Sequence, residues 1–216
     1  MLEAWKEIIA ARRQYDCWDL SQPLDKSVVE EIIEEMNTQC AKKQNKPHIA
    51  LKILDWSDPK LRGAIYDYTR NAESDDRTRE NFIAINPQML AHYLIIFVNI
   101  NETKENKDKA FLGNISTGLH ANYITHSAAA RGLQTGFCQC SDRDLCTDEQ
   151  YEYMLDRLGI EDFESIYLML GLGHGLKENS MINPATGETV ECWSRIGKGE
   201  QEENPLPAVS SYVEFL

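Results

Sequence analysis

Residues 92–100 read HYLIIFVNI, an unbroken run of aromatic, aliphatic and amide side chains without a formal charge. A strand is apolar on both sides only where both faces of its sheet are covered, so this run predicts a central strand. A second run, IYLMLGLGHG at 166–175, predicts a buried strand entering a glycine turn, and HIALKILDW at 48–56 predicts a third strand. Helical spacing is equally plain elsewhere. In LSQPLDKSVVEEIIEEMNTQ, Val28, Val29, Ile32, Ile33 and Met36 recur on one helix face, with Ser27 and Glu30 as a capping box. Trp5, Ile8 and Ile9, followed by Arg12 and Arg13, read as a short amphipathic helix whose last turn is positive.

Residues 114–131, NISTGLHANYITHSAAAR, carry little charge and stop at Gly132, the pattern of a largely buried helix with a C-terminal glycine. Its small residues from Ser127 to Ala130 permit close packing. Thr147 and Gln150 cap a further helix bearing Tyr151, Met154, Leu155 and Leu158. The polar stretch after Trp56 is partly helical, and beyond Pro184 only short strand-like pieces are expected. The tail ENPLPAVSSYVEFL reads as an extended arm lying on protein.

At 216 residues the chain forms one domain, residues 1–216, with that arm at its end. The formal net charge of -13 sets a field that repels nucleic acid and anionic membranes, so an anionic ligand needs a local basic pocket. The N-terminus lacks the plan of a signal peptide, and no segment is apolar enough for a membrane span; a cytosolic location follows. In that reducing compartment the six cysteines are expected as thiols.

Arg12 and Arg13 offer guanidinium forks suited to a phosphate, although adjacent arginines at a helix end are ordinarily solvated. A helix ending in Arg-Arg, a loop with a proline and then a capped amphipathic helix resemble the start of the nitroreductase family. So do CAKKQNKPHIALKIL, HANYITHSAAARGLQTGFCQCSD and YLMLGLGHG, and together these pieces span nearly the whole chain in the family's order. The resemblance implies an α+β, three-layer fold with a mixed, mainly antiparallel sheet flanked by helices. It further implies an FMN-dependent oxidoreductase that takes electrons from NAD(P)H to a small acceptor such as a nitroaromatic or quinone. A homodimer with both active sites at the interface is part of the same expectation.

Carried over residue by residue, the resemblance puts Arg12, Arg13 and Gln14 at the phosphate and ribityl chain of FMN. Matching on Pro47 puts Lys42 and Gln44 near the flavin. The main-chain N–H groups of Gln139 and Cys140 fall near N5 and O4, where donors stabilise the reduced ring. Arg195, with Lys198 as a substitute partner, falls in a second basic cluster on the phosphate, and Asn86 at the pyrimidine edge. No side chain is required as a nucleophile. The chain departs from the family pattern at Asp16, Ala41, Lys42 and Trp193, which keeps a non-catalytic flavin or small-ligand binding protein on the same fold as an alternative.

Three rival chemistries weigh less. Gly171, Gly173 and Gly175 after an apolar strand resemble a dinucleotide fingerprint, but the spacing is GxGxG and a tight turn is the expected use. Cys138, Cys140 and Cys146, with Cys192 or His174, form no paired CxxC knuckle, and scattered thiols are expected rather than a metal site. No G-x-S-x-G elbow occurs, and His120 and His126, six apart on one helix, are expected in packing roles.

Overall fold

The computed structural model describes residues 2–11, 14–41, 48–69, 83–84, 87–99, 108–138, 148–160, 166–176, 178 and 180–192. The elements are α1 (Leu2–Ala11), α2 (Lys26–Gln39), β1 (Ile49–Leu54), α3 (Pro59–Thr69), β2 (Ile83–Ala84), a 3-10 helix (Pro87–Leu90) and β3 (Tyr93–Asn99). They continue with α4 (Asp108–Ala130), β4 (Gln134–Cys138), α5 (Asp148–Leu158), β5 (Ile166–Gly173), β6 (Ser180–Ile182) and β7 (Thr189–Cys192).

The run that opened the reading is a central strand. The main sheet has the order β1-β3-β5-β4, every neighbouring pair antiparallel, and β3 lies between Ile49↔Asn99 on one side and Tyr93↔Leu172 on the other. A smaller sheet, β2-β7-β6, contains the one parallel pairing, Ile83↔Glu191 and Ala84↔Cys192, so the described strands are mixed and mainly antiparallel. The fold is α+β, as expected.

Strand alternation sends the β3 side chains to two different cores. Tyr93, Ile95 and Phe97 join Leu170 and Leu172 against α2 (Val29, Ile32, Met36) and α4 (Ile124, Ala128). Leu94, Ile96 and Val98 join Met169 against Trp18, the 3-10 helix, α3 (Leu61, Ile65) and α5 (Met154, Leu158). The helix of small residues is therefore a core helix, extending further toward the N-terminus than its charge pattern indicated.

Two local expectations need correction, and a third falls outside the described residues. The capping box does not form: the N-cap of α2 is Asp25, without a side-chain cap bond, and Glu30 pairs with Lys26 one turn earlier. Helix α1 is described over Leu2–Ala11, and Arg12 and Arg13, expected in its last turn, lie outside the described residues. Cys17 is disulfide-bonded, with its partner side chain outside those described, whereas Cys40 and Cys138 are not in disulfides. A low cysteine count cannot report two thiols that folding packs together. The capping residue Thr147 and the C-terminal arm also lie outside the described residues.

The glycines at the end of β5 are not a turn. Gly171 and Gly173 lie inside the strand, and neither has a positive φ. A Cβ on Gly171 would overlap the Gln88 carbonyl oxygen and crowd Ala91 at 3.0 Å and Trp18 at 3.1 Å. One on Gly173 would strike the ring of His92, and one on Gly136 the Tyr15 carbonyl. These glycines let backbone and rings lie directly on the sheet.

Candidate active site

The chain between α1 and α2 is laid along that glycine-lined face. Tyr15 N–H donates to the Thr135 carbonyl at 3.1 Å, Asp19 N–H to His174 at 2.8 Å, and Leu176 N–H to Cys17 at 2.8 Å. The Trp18 indole donates to the Pro87 carbonyl at 3.1 Å, which ties the same loop to the 3-10 helix.

Gln14 begins this loop, bridged to Thr135. Its carboxamide grips one residue at both ends: Nε2 donates to the Phe137 carbonyl at 2.9 Å, and Oε1 accepts from the Phe137 N–H at 2.9 Å. Gln88, from the 3-10 helix, donates to the same carbonyl at 3.2 Å. Phe137 is therefore a junction where the loop after α1, the 3-10 helix and the end of β4 are bonded together.

Of the ten residues assigned to the cofactor, the structure describes Gln14; Arg12, Arg13, Lys42, Gln44, Asn86, Gln139, Cys140, Arg195 and Lys198 lie outside the described residues. Several of them adjoin the junction along the chain. Arg13 immediately precedes Gln14, Asn86 lies two residues before Gln88, and Gln139 follows Phe137 by two. Arg195 comes three residues after Cys192, which pairs with Ala84, itself two residues before Asn86.

A cavity of about 420 Å³ lies between α1, the C-terminal end of α2 and α4. Cys40 and Ala41, which lead into the segment holding Lys42 and Gln44, line it together with Trp5 and Ile8. Trp5 stacks on His126 with ring centres 5.3 Å apart, so His126 has a packing role, and His120 is buried. Across the cavity, Arg131 pairs with Glu35, and Ser127 Oγ donates to Glu35 Oε2 at 2.8 Å. The hydrogen bond from Arg131, then that from Ser127, holds the Glu35 carboxyl below the usual carboxylate range.

Among the described residues no group of three or more His, Cys, Asp or Glu is placed to hold a metal ion; Cys140, Cys146 and the side chain of Cys192 lie outside them. Nor is any described helix long and apolar enough to cross a membrane.

No protein-family model and no curated protein matches the sequence. Solved structures do match. A nitroreductase with bound FMN from Desulfitobacterium hafniense superimposes with a TM-score of 0.64 over 100% of both chains at 13% identity. The chain has the nitroreductase fold. A nitroreductase with bound FMN from Bacteroides fragilis matches with a TM-score of 0.60 at 16% identity, covering 80% of this chain and 89% of that one. The NADPH:FMN oxidoreductase from Vibrio harveyi, complexed with NAD+, gives 0.58 at 12% identity over 80% and 69%.

Within this fold, the described part of the region is a strand end fixed by Gln14 and Gln88 through Phe137. Sequence reasoning missed the clasp itself. Gln14 was singled out for a ligand, while its described bonds are to Phe137, and Gln88 was passed over. A glutamine beside a strand end carries no local signature for such a role.

Proposed function

We propose that the chain is an FMN-dependent oxidoreductase that passes electrons from NAD(P)H to a small organic acceptor such as a nitroaromatic or quinone. The observation that carries this reading is the Phe137 junction on the nitroreductase fold. It ties Gln14, Gln88 and the end of β4 together, and through them the segments that hold Arg12, Arg13, Asn86, Gln139 and Cys140.

When bound, FMN supplies the hydride and electron chemistry. The protein's part is to hold and to tune. Arg12, Arg13, Arg195 and Lys198 neutralise the phosphate locally in a chain whose overall charge is -13. Gln139 and Cys140 present main-chain N–H groups toward the ring, and the three hydrogen bonds between the two glutamines and Phe137 keep that strand end from shifting as charge develops. Lys42, Gln44 and Asn86 complete the ring's polar surroundings.

A homodimer belongs to the same reading. Leu2, Trp5 and Ile9 of α1 and Phe111 and Leu119 of α4 are exposed large apolar side chains, and a second copy would cover them.

The test is spectroscopic. Purified protein should be yellow, and NAD(P)H should bleach the flavin band with turnover in the presence of a quinone; a yellow protein that NAD(P)H does not bleach would instead be a flavin-binding protein without this activity. Arg12→Ala should weaken FMN binding by about 1.5–3 kcal/mol, the range for a hydrogen bond to a charged group. Undiminished retention of FMN in that variant would remove Arg12 from the site.

A further inference from the structure

Cys17 is 1% exposed and disulfide-bonded, in a loop that main-chain hydrogen bonds already hold against the sheet. Tyr15 N–H donates to Thr135, Asp19 N–H to His174, and the Cys17 carbonyl accepts from Leu176 N–H. A covalent bond at this position joins a seated loop to another part of the chain. The chain has six cysteines, and Cys40 and Cys138 are not in disulfides, which leaves Cys140, Cys146 and Cys192 as partners.

Two observations single out Cys192. Its main chain pairs with Ala84, and three residues after Ala84 the Pro87 carbonyl accepts the indole N–H of Trp18, the neighbour of Cys17. The loop and the end of β7 are thus fixed to positions three residues apart in the chain. Independently, Val190 of β7 and its register partner Met181 belong to the same buried cluster as Cys17 and Trp18. Residues two apart share a strand face, so position 192 takes the face of β7 that Val190 takes.

The two cysteines also bracket the region assigned to the cofactor. Gln14, which grips Phe137, lies three residues before Cys17, and Arg195, assigned to the phosphate, lies three residues after Cys192.

We propose that Cys17 is bonded to Cys192 and that this disulfide is a redox-sensitive clamp on the cofactor site, closed when oxidised and opened by a dithiol. In opening, a thiolate of the dithiol attacks one of the two sulfurs and the S–S bond breaks. The second thiol then closes the reductant to its own disulfide, and two electrons and two protons end on Cys17 and Cys192 as thiols. The pairing stands without any flavin; the effect on the site rests on the flavin reading above. Two segments that meet one ligand bind it more tightly when they are already held together, so reduction weakens that binding.

Peptide mapping by mass spectrometry after alkylation without reductant tests the pairing. Peptides containing Cys17 and Cys192 should appear joined, with Cys40 and Cys138 alkylated. Cys17 found alkylated, or joined to Cys140 or Cys146, would overturn it. The clamp is read by hydrogen exchange at the amides of Tyr15 and Asp19, which should quicken at least about tenfold after treatment with dithiothreitol. Cys192→Ser should exchange at the reduced rate with or without the dithiol. On the same reduction the FMN dissociation constant should rise roughly three- to tenfold. Exchange indifferent to dithiothreitol, or an FMN affinity unmoved by it, would overturn the clamp. Quickened exchange with no FMN bound in either state would sustain the link between loop and strand and overturn the flavin reading instead.

Discussion

The two faces of the main sheet are covered in different ways. On one, α2 and α4 lay branched side chains onto Ile95, Phe97, Leu170 and Leu172, so contact is made by side chains on regular elements. On the other, the loop that follows Gln14 and the 3-10 helix approach so closely that Gly136, Gly171 and Gly173 are required, and single side chains do the fixing. Trp18, Arg62, Gln88 and Gln14 each bond to a backbone carbonyl of another segment. A side-chain interface tolerates a change of shape better than one in which backbone rests on backbone, because a side chain can change rotamer and a carbonyl cannot. Gln14 and Gln88, which meet at Phe137, belong to the segments that cover the second face.

The largest test of that difference is Arg62. Only 1% exposed, it donates to four carbonyls from β1, its following turn, the 3-10 helix and the residue after that helix, and stacks over Trp56 at 4.4 Å. Burial lowers its pKa to about 9, which leaves it a cation at neutral pH. Arg62→Lys cannot reproduce the planar fork, and Arg62→Met orphans the carbonyls altogether; a loss of about 4 kcal/mol is expected for the latter, read by urea unfolding. A loss under about 1 kcal/mol would mean that the carbonyls find water and that this face is not fixed by one side chain.

Next in size is Gly171→Ala, a single methyl directed at the Gln88 carbonyl. About 3 kcal/mol should be lost, and the flavin content of the purified protein should fall as well, since Gln88 holds Phe137. On the opposite face, Leu170→Ala should lose a similar 2–5 kcal/mol through a cavity while leaving flavin content nearly unchanged. Equal effects on flavin from both would erase the distinction between the faces.

A smaller effect is confined to acid. His92 is buried on Gly173 and donates from Nε2 to the Gln22 carbonyl at 2.8 Å; burial lowers its pKa below the ordinary 6.5. The unfolded chain then binds the proton more readily than the folded one, so this contribution is complete above about pH 6.5 and is lost as pH falls toward the folded pKa. Unfolding free energies measured between about pH 7.5 and pH 5 should decline, and His92→Gln should flatten that decline. An unchanged slope in the variant would place the acid sensitivity elsewhere.

The same contrast governs what was legible in the sequence. Helix α2 and strands β3 and β5 follow from periodicity, because they bury side chains on regular faces and the pattern of Val29, Ile32 and Met36 is what such burial requires. The glycines of β5 were visible but not their use: alternate residues such as Gly171 and Gly173 lie on one strand face, a period that fits close approach rather than a turn. The clasp on Phe137 had no sequence signal, since Gln14 and Phe137 are 123 positions apart and glutamine suits any polar surrounding. The resemblance carried the fold because the order of segments outlasts the identity of their residues, as 13% identity over the whole chain illustrates.

The smallest expected effect has the opposite sign. Gly118 lies within α4 at an exposed position, and a Cβ there meets nothing within 4 Å. With no neighbour to displace, Gly118→Ala removes unfolded-chain freedom and should add about 0.5–1 kcal/mol. The measurement is a denaturation midpoint at low protein concentration, beside a light-scattering mass at high concentration. A gain at both concentrations marks the outer face of α4 as open at that point. A loss that grows with concentration, together with a fall in mass, would show that a second copy lies against Gly118, and would locate the homodimer interface on this helix more narrowly than the exposed Phe111 and Leu119 do.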